Sequence, residues 1–194
     1  MPNITLIRHA ETDWSMEDKH TGLTDIPLNT IGEAQAKKLK KVLQNRDFTH
    51  IFVSPLQRAQ KTAQLAGILK KAIIELDLVE WDYGEYEGLS SKQIHKQNPE
   101  WNIFTQGAPG GESVRQATKR AERVIEKLDA LTGEILLLSS GHFSRLITSC
   151  WLNIQPSFGN LVALYPASIS SLGYAGKNRI LFSWNNTNHL IDLK

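Results

Sequence analysis

Ile4-Thr5-Leu6-Ile7-Arg8-His9-Ala10-Glu11-Thr12 passes from an apolar, β-branched run directly into a guanidinium beside an imidazole. A strand buried on both faces of a parallel sheet reads as a continuous apolar run, and its carboxyl end is where open α/β sheets place ligands. The arrangement returns at Ile135-Leu136-Leu137-Leu138, which leads into Ser139-Ser140-Gly141-His142. Two histidines, each just beyond a strand, predict one site assembled from distant parts of the chain.

Outward from these runs, strand and helix patterns alternate. Strands are expected at 3–8, 50–53, 73–76 and 134–139, then as three further runs at 160–165, 168–174 and 179–185. Ala36, Leu39, Val42 and Leu43 give an apolar stripe to a helix over 31–45, and the lysines at 37, 38, 40 and 41 read as its solvated face. Ser54-Pro55 stops a strand before a helix over 56–70. Ser113 and Gln116 have the spacing of a capping box, and Ala117, Ala121, Val124, Leu128 and Leu131 follow on one helical face. An apolar helix runs from His142 to about 152, and Ala175-Gly176-Lys177-Asn178 reads as a hairpin loop. The expected fold is an α/β protein, a three-layer α/β/α sandwich around a mixed, mostly parallel sheet. Residues 1–194 form one domain, with an aromatic-rich insertion over the site at 78–109.

Composition narrows the function classes. With 41% hydrophobic and 22% charged residues the chain has globular character. A net charge of +2 gives no bulk signal for nucleic acid or a membrane as partner, so the positive residues have to be argued locally. Cys150, the only cysteine, excludes an internal disulfide and a thiolate metal cage, fits a reducing cytoplasmic compartment, and reads as a packed side chain rather than a nucleophile. No basic segment followed by a long apolar stretch marks export, and no apolar run approaches the roughly eighteen residues of a membrane-spanning helix.

The candidate chemistry is anionic. Arg8 offers a fork of donors that matches a phosphate, and His9 can act as nucleophile beside it. Arg58, in the first turn of the helix after Ser54-Pro55, can meet Arg8 across one anion. His142, following Gly141 at a helix start, could stabilise phosphoryl oxygens in its protonated form, with Gly141 letting backbone come close to the ligand. Glu80, against Trp81, is the candidate general acid, ahead of Asp82, Glu85 and Glu87. The alternation His9, Glu11, Asp13 lacks the further histidines a metal site would need, so neither metal nor cofactor is expected. His50, His95 and His189 read as surface or packing residues, and so first does His20, although it adjoins Thr21 and could approach substrate.

Together these residues resemble the histidine phosphatase superfamily, the phosphoglycerate mutase-like family. The resemblance rests on Arg8-His9-Ala10-Glu11-Thr12-Asp13-Trp14, Thr21-Gly22-Leu23-Thr24-Asp25, Ser54-Pro55-Leu56-Gln57-Arg58-Ala59, Glu80, Gly110-Gly111-Glu112-Ser113 and Ser140-Gly141-His142, in that order over residues 4 to about 150. It implies that His9 becomes a phosphohistidine, that Arg8, Arg58 and His142 grip the phosphoryl oxygens, and that Glu80 protonates the leaving oxygen. It further implies that Thr21 and Gly22, with Glu11, Trp14, Tyr83 and Gly141, touch the substrate, and that no metal is needed. Ala10 departs from the motif's glycine. Trp81, Asp82, Glu85 and Glu87 stand where mutases of the family carry basic residues, and Glu80-Trp81-Asp82-Tyr83-Gly84-Glu85-Tyr86-Glu87-Gly88 is most similar to the sedoheptulose-1,7-bisphosphatase-like sugar phosphatases. The expectation is hydrolysis of a sugar phosphate or bisphosphate. A ribazole-phosphate phosphatase, a phosphoglycerate mutase and a catalytically silent phospho-ligand-binding member are the alternatives.

Overall fold

Strands that are apolar on both faces require helices above and below the sheet, and the chain supplies both layers. The computed structural model describes residues 1–193. β1 (Pro2–Arg8), β2 (His50–Val53), β3 (Ile73–Ile74), β4 (Gly133–Ser139), β5 (Ile169–Ala175) and β6 (Asn178–Asn186) form one sheet in the order β3-β2-β4-β1-β5-β6. The first four of that order run parallel, while β5 is antiparallel to both β1 and β6. The helices are α1 (Asp13–Met16), α2 (Thr30–Leu43), α3 (Gln57–Leu65), α4 (Ser91–His95), α5 (Ile103–Gln106), α6 (Val114–Asp129) and α7 (Gly141–Trp151).

Side-chain alternation divides the apolar residues between two cores. Ile4, Leu6, Ile135 and Leu137 pack beneath α6 and α7, and Ile7, Leu136 and Leu138 pack on the opposite face against α2 and α3. Ser113 and Gln116 do form the capping box that starts α6. On α2 the buried stripe is Gly32, Ala36, Leu39 and Leu43; Val42 faces solvent, one position off it. Gly176, with φ of 60°, takes the first of two turn positions in the β5–β6 hairpin.

Three expected elements differ. Residues 160–165 are not a strand, because their carbonyls are claimed by side chains from elsewhere. Val162 O accepts from Arg145 Nη1 at 3.4 Å, Ala163 O from Trp184 Nε1 at 2.6 Å, and Leu164 O from Arg8 Nη1 at 2.5 Å. The helix expected to reach residue 70 stops at Leu65, ahead of Gly67 with φ of 78°, and a 3-10 turn follows over Leu69–Lys71. The third strand keeps only Ile73–Ile74 before a 3-10 turn over Leu76–Leu78. From Leu78 to Pro109 the chain is short helices and turns, and Leu78, Trp81, Tyr83, Ile94, Trp101, Ile103 and Phe104 share the core of α6 and α7.

Sheet order determines where a site can lie. β1 continues through α2 to β2 on one side, whereas β4 continues through α7 to β5 on the other, along the opposite face of the sheet. The crevice between the carboxyl ends of β1 and β4 is therefore the topological switch point. Arg8 pairs in register with Ser139, and His9 N donates to Ser139 O at 2.8 Å, so the two histidine-bearing exits are neighbours.

Candidate active site

A cavity of about 770 Å³ opens at this crevice, and Arg8, His9, Arg58, Glu80, Tyr83, Gly141 and His142 all line it. His9 is 4% exposed, and its Nδ1–H donates to Ala10 O at 2.7 Å. A carbonyl can only accept, so this bond fixes the tautomer and leaves Nε2 with a free lone pair. Burial, and then the charges of Arg58 and Arg8, hold the imidazole well below the usual histidine pKa. It is an unprotonated base set among cations. Ala10 fits the glycine position of the motif because its methyl packs into the α2–α3 core and its N–H is held by Thr62 Oγ1 at 3.1 Å.

Arg58 is buried and Arg8 partly so, and both are only partly satisfied. Arg58 donates from Nη1 to Thr24 O at 2.9 Å and from Nη2 to Gly22 O at 2.7 Å. The Nε atoms of both Arg8 and Arg58 are buried without an acceptor among the described residues. The donor free to meet an anion in the cavity is Arg8 Nη2, which has no acceptor among the described residues and is not sealed from solvent. Burial lowers Arg8 to about 10, with Glu80 acting in the opposite sense, so both guanidinium groups stay charged near neutrality.

Glu80 is 6% exposed, and its carboxylate faces the amino end of α7. It accepts from His142 N at 3.1 Å, Phe143 N at 2.8 Å and Trp81 N at 2.9 Å. Its backbone is clamped by Arg120 of α6, which donates to the carbonyls of Asp77, Val79 and Glu80 and forms an ion pair with Glu112 at 2.6 Å. The Gly110-Gly111-Glu112-Ser113 motif thereby acts as a brace behind the acid. A Cβ on Gly111 would sit 2.3 Å from Asp82 O, so only glycine allows that approach.

His142 is also neutral in the free protein, because burial and then Arg145, His20 and Arg8 depress its pKa well below the ordinary value. This corrects the expectation of a protonated His142. Burial, together with Glu80, raises Tyr83 far above the usual phenol range, and its hydroxyl shares a 2.5 Å hydrogen bond with His142 Nδ1; the direction that serves an anion in the cavity has the hydroxyl donating. The ring then carries its proton on Nε2, so Tyr83 acts on the site through His142 as well as by lining the cavity. Gly141 lines the cavity, and a Cβ there would lie 3.3 Å from Arg8 Nε, so its smallness lets the guanidinium pack across the start of α7.

Thr21 lines the cavity, but Glu11, Trp14 and Gly22 stand behind its wall. Glu11 binds Asn29 Nδ2 at 3.0 Å and so anchors the start of α2. The Trp14 ring lies over Gly88. Gly22, with φ of 53°, presents its carbonyl to Arg58, while Glu87 pins the following loop through Leu23 N at 2.6 Å and Thr24 N at 2.9 Å. Arg145 is among the lining residues that the sequence reading passed over, and His20, read there first as a packing residue that could approach substrate, lines the cavity too. Arg145 stands four residues after Gly141 on α7, a spacing that marks the same helical face. His20 is 8% exposed among Tyr83, Trp101 and His142, bonds Ser91 Oγ at 3.2 Å, and is lowered to about 4 by burial and then Arg145. Among the described residues no three His, Cys, Asp or Glu side chains gather as a metal site requires, and no helix is long and apolar enough to cross a membrane.

The three depressed histidines of the cavity make stability depend on pH. The unfolded chain takes up protons at His9, His20 and His142 below about pH 6.5, while the folded chain does not. Their contribution is fully present above that value and is lost on acidification, at a slope approaching about 4 kcal/mol per pH unit for three groups. His20 drops out of the slope below about pH 4. Urea midpoints should fall steeply between pH 6.5 and 5; a flat profile there would contradict the burial of neutral imidazoles.

The fold and the cavity together define an α/β protein with a neutral histidine base between arginines at the sheet's switch point. The chain belongs to the histidine phosphatase superfamily (branch 1), whose family model matches residues 4–187. It is 36% identical to an acid phosphatase of Mycobacterium tuberculosis over 190 residues, covering 96% of this chain and 93% of that one. It is 31% identical to sedoheptulose 1,7-bisphosphatase of Saccharomyces cerevisiae, covering 79% of this chain and 70% of the relative. The solved phosphoserine phosphatase of Entamoeba histolytica, in complex with 3-phosphoglyceric acid, superposes with a TM-score of 0.87 at 26% identity, covering 98% of this chain and 100% of the other.

Proposed function

We propose that the protein hydrolyses phosphomonoesters of small metabolites, sugar phosphates or bisphosphates among them, through a phosphohistidine on His9 and without a metal. The observation that carries this reading is the unprotonated His9, its Nδ1 tied to Ala10 O, in one cavity with two arginines that form no salt bridge among the described residues. The Nε2 lone pair attacks phosphorus as the bond from phosphorus to the ester oxygen breaks, and Glu80 gives its proton to that oxygen. Water then attacks the phosphorus–nitrogen bond, Glu80 takes back a proton, and His9 returns to its neutral form. Arg8, Arg58 and the Nε2–H of His142 hold the equatorial oxygens as charge shifts, an electrostatic task in which fixed donors are most effective.

His9 and Glu80 facing one cavity favours an active enzyme over a silent binder. The sequence argument against phosphoglycerate, repulsion by Asp82, Glu85 and Glu87, loses force because none of these acids lines the cavity. The panel that tests the function therefore holds sugar phosphates, bisphosphates, phosphoglycerates, phosphoserine, ribazole phosphate and nucleotides. Phosphate release from small monoesters, undiminished by a chelator, is expected. Failure to release phosphate from any of them would overturn the reading.

A further inference from the structure

Arg145 is a largely buried cation of the cavity that phosphoryl transfer leaves without a task. Its Nε donates to Gly141 O at 3.3 Å, and its Nη1 donates to Gly159 O at 3.1 Å and Val162 O at 3.4 Å, with the guanidinium over the Phe104 ring at 5.2 Å. These bonds fix the fork in place. Nη2 has no acceptor among the described residues and, unlike the Nε atoms of Arg8 and Arg58, is not sealed from solvent. No carboxylate among the described residues forms a salt bridge with Arg145, whereas Lys19 at the cavity rim is already paired with Glu17 at 2.6 Å.

The charge balance of the cavity points the same way. Arg8, Arg58 and Arg145 are its guanidinium groups, Glu80 is the buried acid facing them, the lining histidines His9, His20 and His142 are neutral, and at the rim the charges of Lys19 and Lys92 are matched in number by those of Glu17 and Asp18. Once Glu80 carries the proton it must donate, a phosphoryl dianion offsets the charges of Arg8 and Arg58 and leaves that of Arg145. The cavity, at about 770 Å³, has room for far more than one phosphoryl group. We propose that Arg145 binds a second anionic group, phosphate or carboxylate, on the same substrate, so that the enzyme selects doubly anionic phosphomonoesters. This rests on the phosphatase reading above and narrows its substrate class.

The test compares kcat/KM within two pairs: fructose 1,6-bisphosphate against fructose 6-phosphate, and 3-phosphoglycerate against glycerol 3-phosphate. The wild-type chain should prefer the doubly anionic member of at least one pair by about tenfold to a hundredfold, the worth of one charge-assisted hydrogen bond. The preferred pair shows whether the second group is phosphate or carboxylate. Arg145→Met should bring that ratio close to one, and Arg145→Lys should restore part of it. Loosening of residues 159–162 would lower both members of a pair alike and leave the ratio unmoved. Arg145→Gln, which keeps amide donors for those carbonyls, replaces the Met variant should the latter not fold. A wild-type ratio near one in both pairs, or a ratio unchanged by losing the charge, overturns the proposal. If the wild type also fails on an aryl phosphate, the phosphatase reading itself has failed.

Discussion

His9→Ala is expected to lower turnover by on the order of 10⁴-fold or more while leaving the affinity for inorganic phosphate within a few-fold of the parent. The two readouts separate because different atoms serve them. Arg8 and Arg58 hold the anion with guanidinium groups whose other donors are anchored to the carbonyls of Leu164, Gly22 and Thr24, and none of those bonds involves the imidazole. His9 contributes the lone pair that forms the new bond, and its neighbours cannot substitute. His142 is tied through Nδ1 to Tyr83, and His20 is tied to Ser91. Phosphate binding by calorimetry together with turnover of an aryl phosphate checks this. Retained turnover would remove the nucleophile from the mechanism.

Glu80→Gln should have the second largest effect, and its size should depend on the leaving group. Glutamine keeps one oxygen to accept from the N–H groups of Phe143 and Trp81, which holds the start of α7, but it loses the second oxygen that accepts from His142 N and has no acid proton to give. For a sugar phosphate, whose alkoxide is a poor leaving group, the loss should be about 10²- to 10⁴-fold; for a p-nitrophenyl ester it should be much smaller. Equal losses on both substrates would mean that Glu80 holds the site together electrostatically and does not transfer a proton.

Much of this architecture can be read in the sequence because it depends on local chemistry. The apolar runs at 4–7 and 135–138, buried on both faces, announce parallel strands, and their abrupt polar ends locate the switch point before the strand order is known. The capping box at Ser113 and Gln116 and the turn at Gly176 depend only on near neighbours. What escaped is non-local. Residues 160–165 have the apolar character of a strand, yet Arg8, Arg145 and Trp184 take their carbonyls, and no pattern within the segment reveals this. Glu11, Trp14 and Gly22 belong to the same motifs as the cavity residues, but they hold up its wall: Glu11 through Asn29, Gly22 through Arg58. Arg145 carried a readable signal, one helical turn beyond Gly141, and His20 carried one in its place beside Thr21, although the packing of Trp101 and Tyr83 that turns it into the cavity is non-local.

The central claim is a covalent bond between phosphorus and one imidazole nitrogen. Rapid quenching during turnover of a slow substrate, followed by peptide mapping by mass spectrometry under alkaline conditions that preserve phosphohistidine, tests it directly. The expected result is one phosphoryl group on the peptide containing His9, absent from His9→Ala. A phosphoryl group on any other residue, or turnover with no phosphorylated peptide, would contradict it.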